Sequence, residues 1–385
     1  KSKGRSGLGF SSSSSNHSSS SSAPPGARKG GYNDNIQLSA AAHYNNREDT
    51  HRRLDSDSDT LQQKNFNNWV KAMLIASAVR PMYSILDLAC GKGGDLPKWA
   101  KQEIGHYVGV DIAYKSITDA IQRYNGQQNR AGCNFPAIWC AGNFCKSNFF
   151  QELEKVEKGV RFDAVSCQFA IHYSWTSEQD ARTALKNAAR RLKPGGLFVG
   201  TTTDANVLVK KLQDAPGLNF GNSLYSVEFL PKKGVAAADF DKTFSDHSPF
   251  GIRYRFYLKD AVDDCEECLV HFPTFRKIAM EVGLELVEHI NLHDFFERAT
   301  TKSSKKAQNI DLLKRMKVLD RRNTISEDQW EVIYLYKTFV FRKMPSSQTE
   351  GSEHWRPRHK GHRPVTEKEI VILTPDCHPQ SQGIS

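Results

Sequence analysis

Short apolar runs alternate with helical stretches along the middle of this sequence, and this alternation limits the possible folds more than any other feature. A chain of this kind makes right-handed crossovers and a parallel sheet that is covered by helices on both faces. The sequence therefore predicts an α/β fold with a doubly wound, mostly parallel sheet. Strand-length runs lie at residues 84–88, 107–110, 137–140, 162–167 and 197–201, and helical patterns lie near 94–101, 114–125, 148–157 and 178–192.

A glycine-rich turn follows the first predicted strand, at residues 89–95. Its glycines let a ligand approach the backbone, and Asp111, at the end of the next strand, can hold a ribose diol. This layout suits a dinucleotide or S-adenosylmethionine. Asp87 and Asp95 beside the turn would repel a pyrophosphate but not an ammonium or sulfonium group, which favours S-adenosylmethionine. Asp87 could at the same time have a structural role as a cap of the turn.

The positive charge of the chain is concentrated in its central part. The net charge is +10, and residues 61–345 hold 40 Lys and Arg against 32 Asp and Glu, which accounts for eight of the ten charges. An anionic partner such as nucleic acid fits this distribution, and a merely basic globular protein fits it equally well.

Both ends of the chain have the composition of disordered segments. Residues 11–22 contain ten serines, and the segment after Met344 is rich in Ser, Pro, His and charge. We predict a disordered, basic, Ser-rich tail at residues 1–60, one folded domain at 61–344 and a second disordered tail at 345–385. The short apolar run at 370–373 has no predicted role.

Neither cysteines nor apolar segments indicate secretion or a membrane. There is no run of eighteen apolar residues and no secretory signal pattern. The eight cysteines, scattered and mostly in apolar contexts, are expected to be reduced thiols. Cys265, Cys268 and His271 resemble half of a zinc site, but the second ligand pair is missing, so we expect no metal.

Several motifs in a fixed order resemble the eukaryotic mRNA cap guanine-N7 methyltransferases. The similarity extends over about residues 60–343, and such an ordered set is far more specific than a glycine-rich turn alone. The motifs are residues 65–71 (NFNNWVK), 87–95 (DLACGKGGD), 167–174 (CQFAIHYS), 220–225 (FGNSLY), 250–254 (FGIRY), 267–273 (ECLVHFP), 330–332 (WEV) and 336–341 (YKTFVF). The resemblance implies a class I methyltransferase fold with a cap-binding insertion after residue 203.

The resemblance also implies the residues that contact the cofactor. Two of them depart from the family pattern: Ala89 stands where a glycine is usual, and Asn143 where an Asp is usual. We expect Ala89 to cost little if its φ is negative, and the Asn143 oxygen to accept from the adenine amine. The implied contacts are Lys71 at the methionine carboxylate, Ala89 and Gly91 at the turn, Asp111 on the ribose, Asn143 and Gln168 by the adenine, and Tyr173 near the methyl group.

A second implied set would bind the cap. Glu267 can accept from the Watson–Crick edge of guanine, and Tyr336 can pack on the base. Lys92, Lys98 and Arg123 suit the triphosphate bridge. The full implied set is Asn67, Asn68, Lys92, Lys98, Arg123, His172, Glu267 and Tyr336. Taken singly, His172 would be a structural histidine, Lys98, Arg123 and Glu267 surface charges, and Tyr336 part of the core in a strand at 332–341.

The implied reaction needs no catalytic acid or base, because guanine N7 carries a free lone pair and no proton. The resemblance implies S-adenosylmethionine as cofactor, S-adenosylhomocysteine as product, and no metal. The implied partners are 5′-capped RNA and other capping or transcription machinery, with no membrane, and the implied location is the nucleus.

Three other functions fit parts of the sequence. The same fold methylates small molecules or proteins, and competition by cap analogues separates that alternative. A non-enzymatic RNA-binding module would keep the fold without turnover, and Ala89 and Asn143 are the only hints of it. A nicotinamide dehydrogenase has no proton-transfer motif to support it.

Overall fold

The computed structural model describes residues 36–46, 58–126, 132–146, 149–232, 234–245, 247–345, 355 and 361–384. All of them belong to one compact unit, Asn33–Ser385. The helices are α1 Ile36–Asn46, α2 Leu61–Ala78, α3 Leu96–Lys101, α4 Tyr114–Asn125, α5 Phe149–Val156, α6 Glu178–Arg190, α7 Ala205–Asp214, α8 Phe272–Glu281, α9 Leu292–Glu297, α10 Lys306–Arg315 and α11 Glu327–Tyr334. The strands are β1 Ser84–Leu88, β2 His106–Asp111, β3 Ala137–Ala141, β4 Phe162–Gln168, β5 Leu192–Thr203, β6 Asn219–Gly221, β7 Tyr225–Phe229, β8 Arg253–Leu258, β9 Val262–Cys268, β10 Leu284–Asn291, β11 Tyr336–Lys343 and β12 Val371–Ile372.

The main sheet has eight strands in the order β10-β11-β5-β4-β1-β2-β3-β12. The pairs from β5 to β12 are parallel, whereas β11 and β10 pair antiparallel at the other edge. Every residue of β1 and β2 is buried, as expected for central strands covered on both faces. In α4, Ile117, Ile121 and Tyr124 are buried and fall on one helical face. The predicted doubly wound, mostly parallel α/β sheet is therefore confirmed.

A second sheet forms after residue 203, where an insertion was expected. It is antiparallel, in the order β6-β7-β8-β9, and it precedes α8. Its inner face shares a core with α2, through Phe66 and Trp69, and with α9 and α11. This packing holds the insertion against the main sheet, so that residues of β9 can contribute to a site formed with the main sheet.

Two local predictions differ from the structure. The strand expected at 332–341 begins at Tyr336, because the preceding residues complete α11, whose N-terminus is capped by Ser326. Residues 193–196, between the helix predicted near 178–192 and the strand predicted at 197–201, lie within β5: the register passes from the pair Phe162–Leu192 to the pair Ala164–Leu197, so these residues form an irregular insertion in the strand. Gly195, with a φ of +77°, allows this backbone path.

The prediction of two disordered tails is wrong for the parts that the structure describes. Residues 36–46 form α1, with Ile36 and Ala40 in the core. Residues 361–384 pack on the main sheet, where β12 extends it beside β3. These segments are polar overall but contain a few apolar side chains that are buried, such as Leu373 in the short apolar run at 370–373. The expectations for residues 1–35, 47–57, 346–354, 356–360 and 385 lie outside the described residues. Over the described ranges, the structure contains no helix with the length and apolar character needed to span a membrane.

Candidate active site

The glycine-rich turn joins β1 to α3 and folds back on the end of β2. The Gly91 amide donates to Asp111 Oδ2 at 2.8 Å, and the Cys90 amide donates to the Val110 carbonyl at 3.0 Å. Gly91 and Gly93 have φ values of +52° and +71°, which glycine adopts without steric cost. The turn thus brings its backbone to the carboxyl ends of the central strands, where ligands bind in such sheets.

Ala89 also has a positive φ, of +56°, so the expectation that it costs little at negative φ does not apply. An alanine Cβ in this left-handed region approaches its own carbonyl oxygen, which costs about 1–2 kcal/mol. Backbone contacts flank Ala89 on both sides, because Leu88 pairs with Val110 in the sheet and the Cys90 amide donates to the Val110 carbonyl.

Ala89→Gly is expected to raise the free energy of unfolding by about 0.5–1 kcal/mol, because relief of the left-handed strain exceeds the entropy that glycine adds to the unfolded chain. Denaturant titration measures this difference. Gly91→Ala is the matched variant: nothing lies within 4 Å of its added Cβ, so it should lose a similar amount through φ alone. A clear loss of stability in Ala89→Gly would contradict the assigned strain.

A cavity of about 240 Å³ opens beyond the carboxyl ends of β1 to β4. We call it the main cavity. It brings together every residue that the resemblance implied for the cofactor: Lys71, Ala89, Gly91, Asp111, Asn143, Gln168 and Tyr173. These residues come from α2, the loops after β1 and β3, the ends of β2 and β4, and a 3₁₀ turn, so only the fold makes them neighbours.

The acidic end of the main cavity is organised by Asp111. Its carboxylate accepts from the amides of Gly91 and Ala113, each at 2.8 Å, and these bonds fix its orientation. Burial raises the pKa of Asp111 to about 6, against the lowering effect of the two amides. Each oxygen retains a lone pair, so the carboxylate can still accept from two vicinal hydroxyls.

Asp95, which also lines the main cavity, is held between two lysines. Lys71 lies 2.9 Å and Lys98 2.7 Å from Asp95 Oδ1. Burial alone would raise the pKa of Asp95, but the two ammonium groups hold it well below its usual range. Lys71 and Asp95 line the main cavity, whereas Lys98 does not. The cavity therefore presents a fixed cation beside a fixed anion, which suits a ligand that carries both a carboxylate and an ammonium group.

Asp87 has a structural role. It is buried and accepts from the Tyr107 hydroxyl at 3.0 Å and from the Trp99 indole at 3.2 Å. Burial and the nearby charge of Asp95 raise the pKa of Asp87 to about 7 in spite of these bonds. Asp87 is thus partly neutral at physiological pH and is not among the residues that line the main cavity. The argument from Asp87 and Asp95 against a pyrophosphate is therefore weakened, because Asp87 is partly neutral and Asp95 is paired with Lys71 and Lys98.

Helix α1 contributes cavity residues that belong to none of the motifs recognised in the sequence. Gln37, Ala40 and Tyr44 line the main cavity from this helix. Gln37 donates to the Tyr173 carbonyl at 3.3 Å, and the Tyr44 hydroxyl is hydrogen-bonded to Tyr173. The four-residue spacing of Ile36 and Ala40 was the only local signal, and it lay in a segment with the composition of a tail.

Four buried side chains form a second cluster next to the main cavity: His172, Tyr254, Glu267 and Tyr336, here called the Glu267 cluster. Tyr254 and Glu267 face each other across β8 and β9, and the Tyr254 hydroxyl donates to Glu267 Oε2 at 2.7 Å. His172 Nε2 lies 3.5 Å from Glu267 Oε1. Tyr336 packs against Phe169, a residue of the main cavity, with ring centroids 5.1 Å apart.

Burial shifts the pKa values of both titratable side chains, Glu267 and His172, toward their neutral forms, and the cluster suits a polar ligand. Burial raises the pKa of Glu267 to about 7, although the Tyr254 hydrogen bond lowers it somewhat. Burial also lowers the pKa of His172 to about 3, so the imidazole is neutral. Neither ring nitrogen of His172 has a hydrogen-bond partner among the described residues, and such buried polar atoms are uncommon.

The basic residues implied for the cap surround the glycine-rich turn. Lys92 pairs with Asp119 at 2.9 Å, and Lys98 contacts Asn68 Oδ1 at 3.0 Å as well as Asp95. The Arg123 guanidinium lies 3.9 Å from where a Cβ on Gly94 would be. The Asn67 carboxamide oxygen is buried and has no partner in the described part of the chain. Each lysine is therefore held in place by a carboxylate. A bound anion would share the lysine ammonium groups with these carboxylates.

The three residues that resemble half of a zinc site, Cys265, Cys268 and His271, do not face a common point. Cys265 and Cys268 are three residues apart on β9, so their side chains leave opposite faces of the sheet. His271 Nδ1 is hydrogen-bonded to Thr274 instead. No group of three or more His, Cys, Asp or Glu residues in the described ranges could hold a metal ion.

A family model described as the mRNA (guanine-N(7))-methyltransferase domain matches residues 28–344. The chain belongs to the mRNA cap guanine-N7 methyltransferase family. It is 41% identical over 348 residues to mRNA cap guanine-N(7) methyltransferase 1 of Arabidopsis thaliana, covering 88% of this chain and 90% of that protein. It is also 41% identical to the Oryza sativa subsp. japonica protein of the same name over 342 residues, covering 86% and 88%.

Membership of this family makes the chain an mRNA (guanine-N7)-methyltransferase that uses S-adenosylmethionine and acts on capped mRNA. Among solved structures, an S-adenosylmethionine-dependent methyltransferase from Clostridium acetobutylicum covers 76% of this chain and 96% of its own, with 14% identity and a TM-score of 0.41. We infer nothing further from that weak similarity.

Proposed function

We propose that this enzyme binds S-adenosylmethionine in the main cavity and transfers its methyl group to N7 of a guanosine held by the Glu267 cluster, at the GpppN end of pre-mRNA. One observation carries this assignment. The buried Glu267 carboxylate lies beside a cavity lined by the implied cofactor residues, together with the neutral His172, whose ring nitrogens have no hydrogen-bond partner among the described residues. We further propose that the enzyme acts in the nucleus with other capping or transcription machinery.

The main cavity has the donor set that S-adenosylmethionine requires. Lys71 would bind the methionine carboxylate, and Asp95 would offset the positive charge of the ligand. Asp111 would accept from the ribose hydroxyls, while Asn143 and Gln168 would line the adenine side and Tyr173 the methyl side. When bound, the cofactor supplies a methyl group on a sulfonium leaving group.

The Glu267 cluster has the groups that recognise guanine. The Glu267 carboxylate would accept from N1–H and from the exocyclic amine, and the Tyr336 ring would pack against the base. The neutral imidazole of His172 can both donate and accept, so it can follow the edge of the base without adding charge. Lys92, Lys98 and Arg123, with Asn67 and Asn68, would contact the triphosphate bridge.

In this scheme the enzyme accelerates the reaction by positioning guanine N7 and the methyl group. Guanine N7 needs no deprotonation, so the chain has to hold the base in line with the methyl group, and proximity and orientation supply about 7–11 kcal/mol. Positive charge develops on the guanine ring during transfer. The ionised form of Glu267 facing the ring would stabilise that charge more in the transition state than in the ground state.

We expect kcat/KM for capped RNA, at saturating S-adenosylmethionine, to fall as the pH drops through about 7. Protonated Glu267 loses its charge and one acceptor, and its pKa in the free enzyme is about 7. His172, with a pKa of about 3, stays neutral throughout this range. A pH–rate profile of Glu267→Gln should be flat at a lower level. The same pH dependence in both proteins would contradict the role of Glu267.

Competition by cap analogues tests the substrate assignment. Unlabelled GpppG should inhibit methylation of capped RNA with an inhibition constant close to its own KM, whereas ApppA should inhibit at least tenfold more weakly, because adenine has no N1–H and no 2-amino group for Glu267. Equal inhibition by both dinucleotides would refute recognition of the guanine edge.

A further inference from the structure

The segment 361–384 follows the matched family domain, which ends at residue 344, yet it packs beside the main cavity. The Leu373 amide donates to the Ala141 carbonyl at 2.8 Å, which continues the pairing of β12 with β3. The Leu373 side chain covers Gly142 so closely that a Cβ there would lie 2.8 Å from it. The segment is therefore fitted to the loop that carries Asn143.

Asn143 joins three distant parts of the chain. Its amide nitrogen donates to Thr374 Oγ1 at 3.0 Å. Its carboxamide NH₂ donates to Gln37 Oε1 on α1 at 2.8 Å and to Asp376 Oδ2 at 3.3 Å. Its oxygen accepts from the Cys145 amide at 2.9 Å. The side chain is buried, so the C-terminal segment and α1 together hold it.

These partners fix which way the carboxamide points. An ionised Asp376 can only accept and the Cys145 amide can only donate, so the NH₂ group must face Asp376. Gln37 gives the same answer, because its own NH₂ group is directed at the Tyr173 carbonyl and at Asp180. The second lone pair of the Asn143 oxygen is then left for a donor in the main cavity.

Gln382 connects the same segment to the loop after β2 and to α1. Its NH₂ group donates to the Ile112 carbonyl at 2.6 Å, directly after Asp111. Its oxygen accepts from the Tyr114 amide and from the Asn45 carboxamide on α1, both at 3.0 Å. Neither Asp376 nor Gln382 lines the main cavity, so both act through residues that do.

We propose that the C-terminal segment 361–384 is a positioning element of the cofactor site: Asp376 orients Asn143, and Gln382 ties α1 to the loop after Asp111. The proposal rests on the assignment of the main cavity to S-adenosylmethionine. It also explains why an Asn works at position 143. An Asp there would set a second carboxylate against Asp376, where the two charges would repel each other.

The test is a charge-swap series in the full-length chain, measured as the Kd for S-adenosylhomocysteine by calorimetry. Asn143→Asp should weaken binding about tenfold, and Asp376→Ala should weaken it by a similar factor, because each loses a hydrogen bond to a charged group. Asn143→Asp combined with Asp376→Asn should recover part of the loss, because the donor and the acceptor are exchanged between these two positions, while Gln37 Oε1 is left without its donor. Lys368→Ala, an exposed change in the same segment, should bind like the parent.

Kinetics separate positioning from general damage to the fold. Asp376→Ala should raise the KM for S-adenosylmethionine about tenfold while kcat and the KM for capped RNA stay within twofold. The proposal would be overturned if Asn143→Asp bound S-adenosylhomocysteine as tightly as the parent. It would also be overturned if Asn143→Asp combined with Asp376→Asn recovered none of the lost affinity. If Asn143→Asp does not fold, Asp376→Ala and a chain ending at residue 360 decide, and parent-like affinity in both would overturn it. Parent-like S-adenosylhomocysteine binding without methylation of GpppG-capped RNA by the parent would instead count against the proposed function.

Discussion

Glu267→Ala lowers kcat/KM for GpppG-capped RNA by about 10²–10³-fold. The buried carboxylate would make two charge-assisted hydrogen bonds to guanine, and losing them together costs about 3–4 kcal/mol. Steady-state kinetics at saturating S-adenosylmethionine measure the effect. The fold should survive, because Tyr254 keeps a partner in Thr203 Oγ1 at 3.0 Å when Glu267 is removed.

Two further measurements make the Glu267→Ala result specific. Asp263→Ala, an exposed change on the same strand, should leave the kinetics unchanged. The Kd of Glu267→Ala for S-adenosylhomocysteine should also equal that of the parent, since Glu267 is not among the residues that line the main cavity. Unaltered kcat/KM in Glu267→Ala, or equal weakening of cofactor binding, would remove Glu267 from guanine recognition.

Lys71→Ala is expected to raise the KM for S-adenosylmethionine about 50- to 100-fold. The variant loses the ammonium group at the methionine carboxylate and leaves the buried Asp95 with Lys98 as its remaining lysine partner. A lost charge-assisted contact together with the negative charge left facing the ligand costs roughly 2–3 kcal/mol. Calorimetry with S-adenosylhomocysteine measures the loss without any RNA.

Lys98→Ala is the matched control for Lys71→Ala. Both lysines pair with the same oxygen of Asp95, but only Lys71 lines the main cavity. Lys98→Ala should therefore raise the KM for capped RNA several-fold and change the Kd for S-adenosylhomocysteine by less than threefold. If the two variants weaken cofactor binding equally, the effect comes from the charge of Asp95 and not from a contact of Lys71.

The central sheet and the glycine-rich turn were predictable because their signals are local, whereas the site residues were implied by the family resemblance. Strands such as Ser84–Leu88 are short apolar runs bounded by polar residues, and the turn after β1 has a recognisable glycine pattern. The strand that contains Tyr336 was placed too early because the apolar residues of α11 run directly into it. Periodicity over so few residues cannot separate a buried helix from a strand.

The contributions of the two ends could not be predicted from composition. Tyr44, which lines the main cavity, and Asp376, which contacts a residue that lines it, lie in polar segments, and their places depend on contacts with residues more than a hundred positions away, such as Tyr173 and Asn143. The φ of Ala89 was hidden for a similar reason, because it is set by how the turn meets β2 and not by its own side chain. Tertiary contacts outweighed local preference at each of these positions.

The most direct test of the account is transfer of a labelled methyl group from S-adenosylmethionine to GpppG-capped RNA, with ApppG-capped and uncapped RNA as controls and digestion to locate the label. Label is expected at guanine N7 on the GpppG ends alone. Transfer to ApppG-capped or uncapped RNA, or no transfer by a protein that binds S-adenosylhomocysteine, would contradict it.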